Sequence, residues 1–95
     1  MSSVRLTVLG AGSWGTALAA LASQRSDTLL WARDADTVRA VRQTRRNPRY
    51  LPDIDLPSSL TATDDWSAAL AHVRQGPDDA IRLIVLGVPM AGLGD

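Results

Sequence analysis

Apolar segments of two kinds alternate along the chain. Runs rich in aliphatic and β-branched residues predict four strands, at residues 5–9, 28–31, 60–63 and 80–87. Between them lie segments whose apolar residues recur at helical spacing. This alternation predicts an α/β fold, a parallel sheet with right-handed crossovers and helices on both faces. The sheet is expected to be incomplete, with about four strands, because nothing in the chain follows the fourth strand to cover its outer edge.

Three helices are predicted, each with its own start and stop signals. The first runs from residue 13 to about residue 24. Asp34 caps the second, which Asn47-Pro48 stops, and Asp64 or Asp65 caps the third, which Gly76-Pro77 stops. The apolar positions of the three helices are Trp14, Leu18, Leu21 and Ala22; Val38 and Val41; and Trp66, Ala69, Leu70 and Val73. The near-continuous apolar run of the fourth strand predicts that both of its faces are covered.

A glycine-rich loop, Gly10-Ala11-Gly12-Ser13-Trp14-Gly15, links the first strand to the first helix. It fits the pattern G-x-G-x-x-G, in which Gly10 allows a tight turn, Gly12 lets the backbone approach a pyrophosphate, and Gly15 lets the helix pack closely on the strand. The pyrophosphate would bind at the helix N-terminus, where free N–H groups and the helix dipole favour an anion. In this setting the loop predicts a dinucleotide site, and a plain strand–turn–helix corner is the alternative.

Two side chains of the loop have two interpretations each. Ser13 either offers its N–H and hydroxyl groups to a phosphate or caps the helix. Trp14 either lies along the cofactor or packs on Leu18 one turn away. The residues alone leave both alternatives open.

The choice between NAD and NADP is expected at the end of the second strand. NAD sites place an acidic residue about 20 residues after the glycines, where it binds the ribose 2′-OH. Arg33 would instead bind a 2′-phosphate with a planar, charged group of donors, which favours NADP over NAD. Asp34 could serve the 2′-OH, but its position suits a helix cap better. A solvent-exposed loop charge is the alternative interpretation of Arg33.

Composition excludes several kinds of chemistry. The chain has 95 residues, enough for one domain, and its ten basic residues are all arginine while its ten acidic residues are all aspartate. Without lysine or cysteine it cannot form a Schiff base, a disulfide or a reactive thiol, and with His72 as its one histidine no metal site is expected. No segment has the ~20 apolar residues that span a bilayer, and no signal peptide is evident, so a cytoplasmic location is expected.

Opposite charges are concentrated in different parts of the chain. Six arginines fall between residues 33 and 49, and six aspartates fall between residues 53 and 79. A basic helix could bind nucleic acid. However, no aromatic residues are interleaved with the arginines and the acidic segment follows at once, so a solvated helix face is preferred and no nucleic-acid partner is expected.

The glycine loop and three later segments resemble the bacterial NAD(P)-dependent glycerol-3-phosphate dehydrogenases. The matching segments are residues 8–19, residues 28–34, Asn47-Pro48-Arg49-Tyr50-Leu51-Pro52 and Leu86-Gly87-Val88-Pro89. They occur in the same order as in the family, and the resemblance extends over essentially the whole chain. The resemblance implies that residues 1–95 are the N-terminal part of an NAD(P)-binding Rossmann domain and that the C-terminal substrate domain is absent from this chain. Enzymes of this family interconvert dihydroxyacetone phosphate and sn-glycerol 3-phosphate by hydride transfer, for phospholipid synthesis.

The resemblance also implies roles for individual residues. Ser13 and Trp14 would contact the cofactor, Arg33 would face the adenosine ribose or its phosphate, and Tyr50 would lie in a loop that borders the cofactor. Val88-Pro89 would end the fourth strand near the nicotinamide. The catalytic lysines of the family lie further along its chain, so no catalytic residue is expected here. A non-catalytic dinucleotide-binding fragment and a related hydroxy-acid dehydrogenase are the alternatives, and a homo-oligomer is left open.

Overall fold

Four parallel strands and three helices make up the structure. The computed structural model describes residues 4–10, 12–49, 51, 53–76 and 79–86. In chain order the elements are β1 (Val4–Leu9), α1 (Ser13–Ala22), β2 (Asp27–Trp31), α2 (Ala35–Thr44), β3 (Thr61–Thr63), α3 (Trp66–Arg74) and β4 (Ile81–Leu86). The strands are ordered β3-β2-β1-β4, and every pairing is parallel. The predicted parallel α/β architecture is therefore confirmed.

The helices begin where the sequence predicts and end somewhat earlier. Asp34 is the N-cap of α2, and Asp65, rather than Asp64, is the N-cap of α3. The first helix ends at Ala22 instead of continuing to about residue 24, because the hydroxyl group of Ser23 turns back to the carbonyl of Ala20 (2.9 Å). The second helix ends before Asn47, since Arg45 takes the left-handed conformation (φ 57°, ψ 34°) that closes its last turn.

The two faces of the sheet bury different clusters of side chains. Alternate residues of a strand point to opposite faces, and β1 shows this clearly. Leu6 and Val8 join the larger cluster under α1 and α2, together with Leu30 of β2. Leu9 joins a smaller cluster that includes Ala69 of α3. The first two helices therefore cover one face and α3 covers the other, as the sequence predicts.

Two tryptophans close the smaller cluster at the carboxyl ends of the strands. The ring of Trp31 meets the ring of Trp66 edge to face, with centroids 5.0 Å apart and planes at 80°. The indole N–H of Trp31 donates to the carbonyl oxygen of Asp64 (3.2 Å). These contacts attach the beginning of α3 to the end of β2.

The predicted apolar face of α1 is wrong. Its buried residues are Gly15, Thr16 and Ala19, whereas Trp14 and Leu21 are 60% and 68% exposed. Small residues face the sheet because they allow the helix backbone to approach the strands closely, as the third glycine of the loop pattern does. The larger apolar residues consequently lie on the outer side of the helix.

The prediction that both faces of β4 are covered is also wrong for the described residues. Four of its apolar side chains are about half exposed: Ile81, Leu83, Ile84 and Leu86. The strand lies at the edge of the sheet next to β1, and the three helices pack mainly over β1, β2 and β3. An apolar run therefore predicts a strand suited to burial, but the neighbours present decide whether it is buried.

A polar cluster fastens the opposite end of the sheet, where the strands begin. Arg5 pairs with Asp27 (3.0 Å) and donates through Nε to the carbonyl of His72 (2.7 Å). Its Nη2 lies 3.1 Å from Nδ1 of His72, whose Nε2 lies 2.8 Å from the carbonyl oxygen of Asp27. Because arginine only donates, Nδ1 accepts and Nε2 carries the proton. His72 thus holds α3 to the first two strands.

Candidate functional site

The glycine loop makes its turn at the carboxyl end of β1. Gly10 has φ 110°, a conformation that side chains disfavour, so this position requires glycine. Its N–H donates to the carbonyl oxygen of Trp31 (2.8 Å), which ties the loop to the end of β2. Gly12 then serves as the N-cap of α1, and its carbonyl accepts the first helical hydrogen bond from the N–H of Thr16 (2.9 Å). The predicted strand–turn–helix geometry is confirmed for these residues.

The N-terminus of α1 differs from those of the other two helices. Across the described residues, no side chain caps it and its first turn contains no acidic residue. The first N–H groups of a helix have no partner within the helix, and the dipole gives that end a partial positive charge. Backbone donors and dipole together make the start of α1 suited to binding a phosphate group.

Three predicted site residues occupy the first turn of α1 or adjoin it. Ser13 is the first residue of the helix, so it is not the N-cap, and the capping alternative for this residue is wrong. Trp14 is 60% exposed, which leaves its ring accessible from solvent. Gly15 is buried against the rest of the fold. The loop therefore presents one large aromatic side chain beside the predicted phosphate position.

Asp34, the candidate for a ribose 2′-OH, is already engaged in capping α2. Its carboxylate accepts from the N–H of Asp36 (2.9 Å), the hydroxyl of Thr37 (3.0 Å) and Nη1 of Arg49 (3.3 Å). The Asp36 hydrogen bond, followed by that of Thr37 and the charge of Arg49, lowers the pKa of Asp34 below its usual 3.8. The carboxylate is thus held ionised by its own chain, as a helix cap requires.

Arg33 is exposed at the corner between β2 and α2. Of the six arginines between residues 33 and 49, it alone has no hydrogen bond or ion pair with the residues that the structure describes. Three others form ion pairs: Arg39 with Asp36, Arg46 with Asp55, and Arg49 with Asp34. Among these six arginines, Arg33 lies nearest the end of β2, and its guanidinium group is therefore the one available to an anionic ligand.

The remaining two arginines, Arg42 and Arg45, have partners in the connection that leads to β3. Arg42 donates through Nε to the carbonyl of Ala62 in β3 (2.8 Å). Arg45 donates through Nη2 to the carbonyls of Leu60 (2.6 Å) and Pro57. Both guanidinium groups hold the connection into β3 against α2.

A hydrogen bond that the sequence does not reveal links α1 to the segment after α2. Nδ2 of Asn47 donates to Oγ1 of Thr16 over 2.9 Å, and both residues are fully buried. The pair is separated by 31 residues in the chain. Asn47 belongs to the segment Asn47-Pro48-Arg49-Tyr50-Leu51-Pro52, one of those that carry the family resemblance. No local pattern in the sequence identifies Thr16 as its partner.

Two positions of interest lie outside the described residues. These are Tyr50, predicted to border the cofactor, and Val88-Pro89, predicted to end the fourth strand near the nicotinamide. Their neighbours Arg49 and Leu51 are described, and Leu51 donates its N–H to the carbonyl of Asn47 (2.8 Å). Arg49 and Leu51 therefore belong to the segment whose Asn47 contacts α1.

The described residues together fit a dinucleotide. The cradle is a backbone turn, without an acidic residue in the first turn of α1, where the pyrophosphate would lie. An exposed arginine stands at the end of the neighbouring strand. No group of three or more histidine, cysteine or acidic side chains arranged to hold a metal occurs in the part of the chain that the structure describes. None of the helices described there has the length and apolar content needed to cross a bilayer.

Comparison with known proteins identifies close relatives. The model of the family described as NAD-dependent glycerol-3-phosphate dehydrogenase N-terminus matches residues 5–95. The glycerol-3-phosphate dehydrogenase (NAD(P)+) of Leptothrix cholodnii is 52% identical over 95 residues, covering 95% of this chain and 28% of that protein. The protein of the same name from Ralstonia nicotianae is 50% identical over 92 residues, covering 97% and 26% respectively. The chain thus spans about a quarter of the length of these relatives.

Solved structures show the same fold. The crystal structure of glycerol-3-phosphate dehydrogenase from Coxiella burnetii superposes with a TM-score of 0.71 at 34% identity, covering 88% of this chain and 24% of that one. The enzyme from Saccharomyces cerevisiae superposes with a TM-score of 0.74 over 98% of this chain and 28% of its own. At 22% identity, the second match supports the fold alone.

Proposed function

Because the chain belongs to the family of NAD-dependent glycerol-3-phosphate dehydrogenase N-termini, we propose that it is the cofactor-binding part of such an enzyme. The full-length protein interconverts sn-glycerol 3-phosphate and dihydroxyacetone phosphate in glycerophospholipid synthesis. Residues 1–95 form the N-terminal part of its NAD(P)-binding domain, and the substrate domain belongs to the remainder of the protein. The observation that carries the proposal is the family match, which extends over the glycine loop and all four strands.

The proposed work of this chain is to hold the cofactor, whose nicotinamide ring supplies the hydride chemistry when bound. The turn at Gly10 and Gly12 brings backbone against the pyrophosphate, and the first N–H groups of α1 bind its oxygens. Ser13 and Trp14 adjoin the same anion, and Tyr50 borders the cofactor. No catalytic residue is assigned to this chain. The location proposed for the enzyme is the cytoplasm.

The proposed cofactor preference is NADP. Arg33 has no partner among the described residues, whereas Asp34 is engaged by Asp36, Thr37 and Arg49. A free guanidinium group matches a 2′-phosphate, with which it forms charge-assisted hydrogen bonds. A carboxylate already used as a helix cap is poorly placed to select the 2′-OH of NAD. The two side chains therefore favour the same cofactor.

The activity is tested with the full-length protein. We expect it to oxidise NADPH when dihydroxyacetone phosphate is supplied, measured by the loss of absorbance of the reduced nicotinamide. A panel of alternative substrates, including a 2-keto acid, distinguishes this enzyme from a hydroxy-acid dehydrogenase. If NADPH is oxidised only with the keto acid, or with no member of the panel, the proposed activity is wrong.

The cofactor preference is tested with Arg33→Ala. Because hydrogen bonds to a charged group are worth roughly 1.5–3 kcal/mol, we expect affinity for NADPH to fall about tenfold or more. Affinity for NADH should change less than about twofold, since NADH lacks the 2′-phosphate. Arg39→Ala is the matched control, because Arg39 is exposed on α2 and pairs with Asp36. Equal losses for NADPH and NADH would reject the role of Arg33.

A further inference from the structure

The buried hydrogen bond between Asn47 and Thr16 lies one turn inside the phosphate-binding end of α1. Thr16 donates its N–H to the carbonyl of Gly12, so it belongs to the first complete turn of the helix. Its hydroxyl oxygen accepts from Nδ2 of Asn47 over 2.9 Å. Neither residue has any exposed surface. A side chain from the segment after α2 therefore contacts the first turn of α1, where the pyrophosphate is proposed to bind.

The segment that carries Asn47 is itself fixed at both of its ends. The N–H of Leu51 donates to the carbonyl of Asn47 (2.8 Å), and the two residues form an isolated antiparallel bridge. Between them, Arg49 reaches Oδ2 of Asp34 (3.3 Å). Asp34 directly follows Arg33, the proposed partner of the 2′-phosphate. Asn47 and Arg49 thus contact the start of α1 and the corner between β2 and α2, respectively.

Burial makes the Asn47–Thr16 bond sensitive to geometry. A buried amide or hydroxyl group without a partner is unfavourable, so the pair favours one position of α1 relative to the 47–51 segment. Small residues line the inner side of α1, namely Gly15, Thr16 and Ala19. Small residues allow the helix to pack closely on the sheet. The directional hydrogen bond from Asn47 adds a restraint on the position of this turn.

We propose that Asn47 is a positioning residue for the cofactor. It does not touch the dinucleotide; through Thr16 it fixes the first turn of α1, whose N–H groups bind the pyrophosphate. The inference rests on the proposed function, because it assumes that this turn binds a dinucleotide. It adds to the site a residue whose effect on affinity is transmitted through Thr16.

The test measures NADPH binding to the full-length protein by tryptophan fluorescence, with the thermal unfolding midpoint of each variant recorded in parallel. Asn47→Ala and Thr16→Val each remove one side of the bond. Since a small misplacement of binding groups is costly, we expect each to weaken NADPH binding about tenfold at a temperature where the variants are folded. The double variant should bind about as weakly as either single one, because both remove the same interaction.

Two further variants separate positioning from general loss of stability. Thr16→Ser keeps the accepting hydroxyl and should bind NADPH within about twofold of the unmodified protein. Thr7→Val is the matched control, because Thr7 is fully buried in β1 and its hydroxyl donates to the carbonyl of Ala69 (3.0 Å), away from the loop. It should lower the unfolding midpoint and leave NADPH affinity unchanged.

The outcomes distinguish this inference from the proposed function. If the unmodified protein binds NADPH and Asn47→Ala binds it equally well, Asn47 has no positioning role while the proposed function stands. An equal loss of affinity in Thr7→Val would show that stability alone governs binding, which also overturns the inference. Failure of the unmodified protein to bind either NADPH or NADH would overturn the proposed function and the inference with it.

Discussion

The three helices start at the same edge of the sheet but differ in the residue at the N-cap. Each follows a strand at the carboxyl edge of the sheet. Asp34 and Asp65 cap α2 and α3 with nearly identical backbone angles, φ −85° and ψ 112° for one and φ −87° and ψ 111° for the other. Gly12 stands at the cap of α1 and brings no side chain to it. Two helix dipoles are thus neutralised by a carboxylate, and the third is not.

This difference is what the proposed phosphate site at α1 requires. A carboxylate at the start of α1 would satisfy the free N–H groups and repel a phosphate, so a phosphate site requires its absence. The aspartates at α2 and α3 stabilise the helices that frame the site without competing for the anion. The same elementary interaction therefore serves stability at two helix starts and is absent at the one proposed to bind the pyrophosphate.

The largest effect is expected from giving α1 the cap that the other helices have. Gly12 has φ −70° and ψ −177°, which any residue can adopt. Gly12→Asp should therefore fold, with a free energy of unfolding equal to or a few tenths of a kcal/mol above the original. Its carboxylate would lie against the pyrophosphate, so NADPH affinity should fall about a hundredfold or more, measured by fluorescence titration of the full-length protein.

Gly12→Asn is the control for the added side chain. It has nearly the same size and also caps helices well, but it carries no charge. We expect it to bind NADPH more weakly than the original protein and clearly more tightly than Gly12→Asp. Equal affinities for the two variants would mean that the bulk of the added side chain, rather than its charge, excludes the ligand. The absence of a carboxylate at the start of α1 would then have no electrostatic role in binding.

An effect of intermediate size is expected from removing the N-cap side chain of α3, which lies outside the proposed phosphate site. Asp65→Ala deprives the N–H groups of Ser67 and Ala68 of their acceptor, which lies 2.9 and 3.3 Å away. The free energy of unfolding should fall by about 1 kcal/mol, measured by urea denaturation. NADPH affinity should stay within about twofold of the original. A large loss of affinity would show that α3 contributes to the site.

The smallest effect concerns the charge of Asp34. Its folded pKa lies below 3.8, chiefly through the hydrogen bond from Asp36. A carboxylate with a lowered pKa stabilises the fold above its unfolded pKa and loses that contribution as the pH falls through the folded value. Asp34→Asn, which keeps a capping oxygen, should therefore be less stable than the original at neutral pH, and the difference should shrink below about pH 4.

Urea denaturation across this range measures the difference between the two proteins at each pH. A constant difference from about pH 7 to about pH 3 would mean that ionisation of Asp34 contributes nothing to the cap. Because the side chain of Asp34 is partly exposed to solvent, salt should screen its charge. Salt should therefore also reduce the difference in the free energy of unfolding between the two proteins. Asp36 pairs with Arg39 on the same helix, so Asp36→Asn is a suitable control for a general change in charge.

The features that could be predicted from sequence are those specified locally. The turn at Gly10 and the caps at Asp34 and Asp65 each depend on the backbone within a few residues, and the structure agrees with the sequence at these positions. The parallel pairing of the strands follows from the alternation of elements, which requires crossovers. Arg33 is likewise exposed at the end of β2, where its ligand role remains a prediction.

The features that could not be predicted depend on contacts between distant segments. The hydrogen bond from Asn47 to Thr16 spans 31 residues and has no periodic signal. The inner face of α1 differs from the prediction. Hydrophobicity alone favours burial of Leu21, whereas close approach of the helix to the sheet selects Gly15 and Ala19. In both cases the outcome depends on the distance between two elements of the fold. The sequence of a single helix does not specify that distance.

The tryptophan pair described in the smaller cluster has an optical consequence. With ring centroids 5.0 Å apart, Trp31 and Trp66 lie close enough for excitation of one indole to pass to the other. That exchange depends on α3 remaining docked on β2 and is lost on unfolding. Trp14, the third tryptophan, stands apart at the exposed start of α1. The protein thus contains one fluorescent reporter of its folded sheet and a separate one of its phosphate loop.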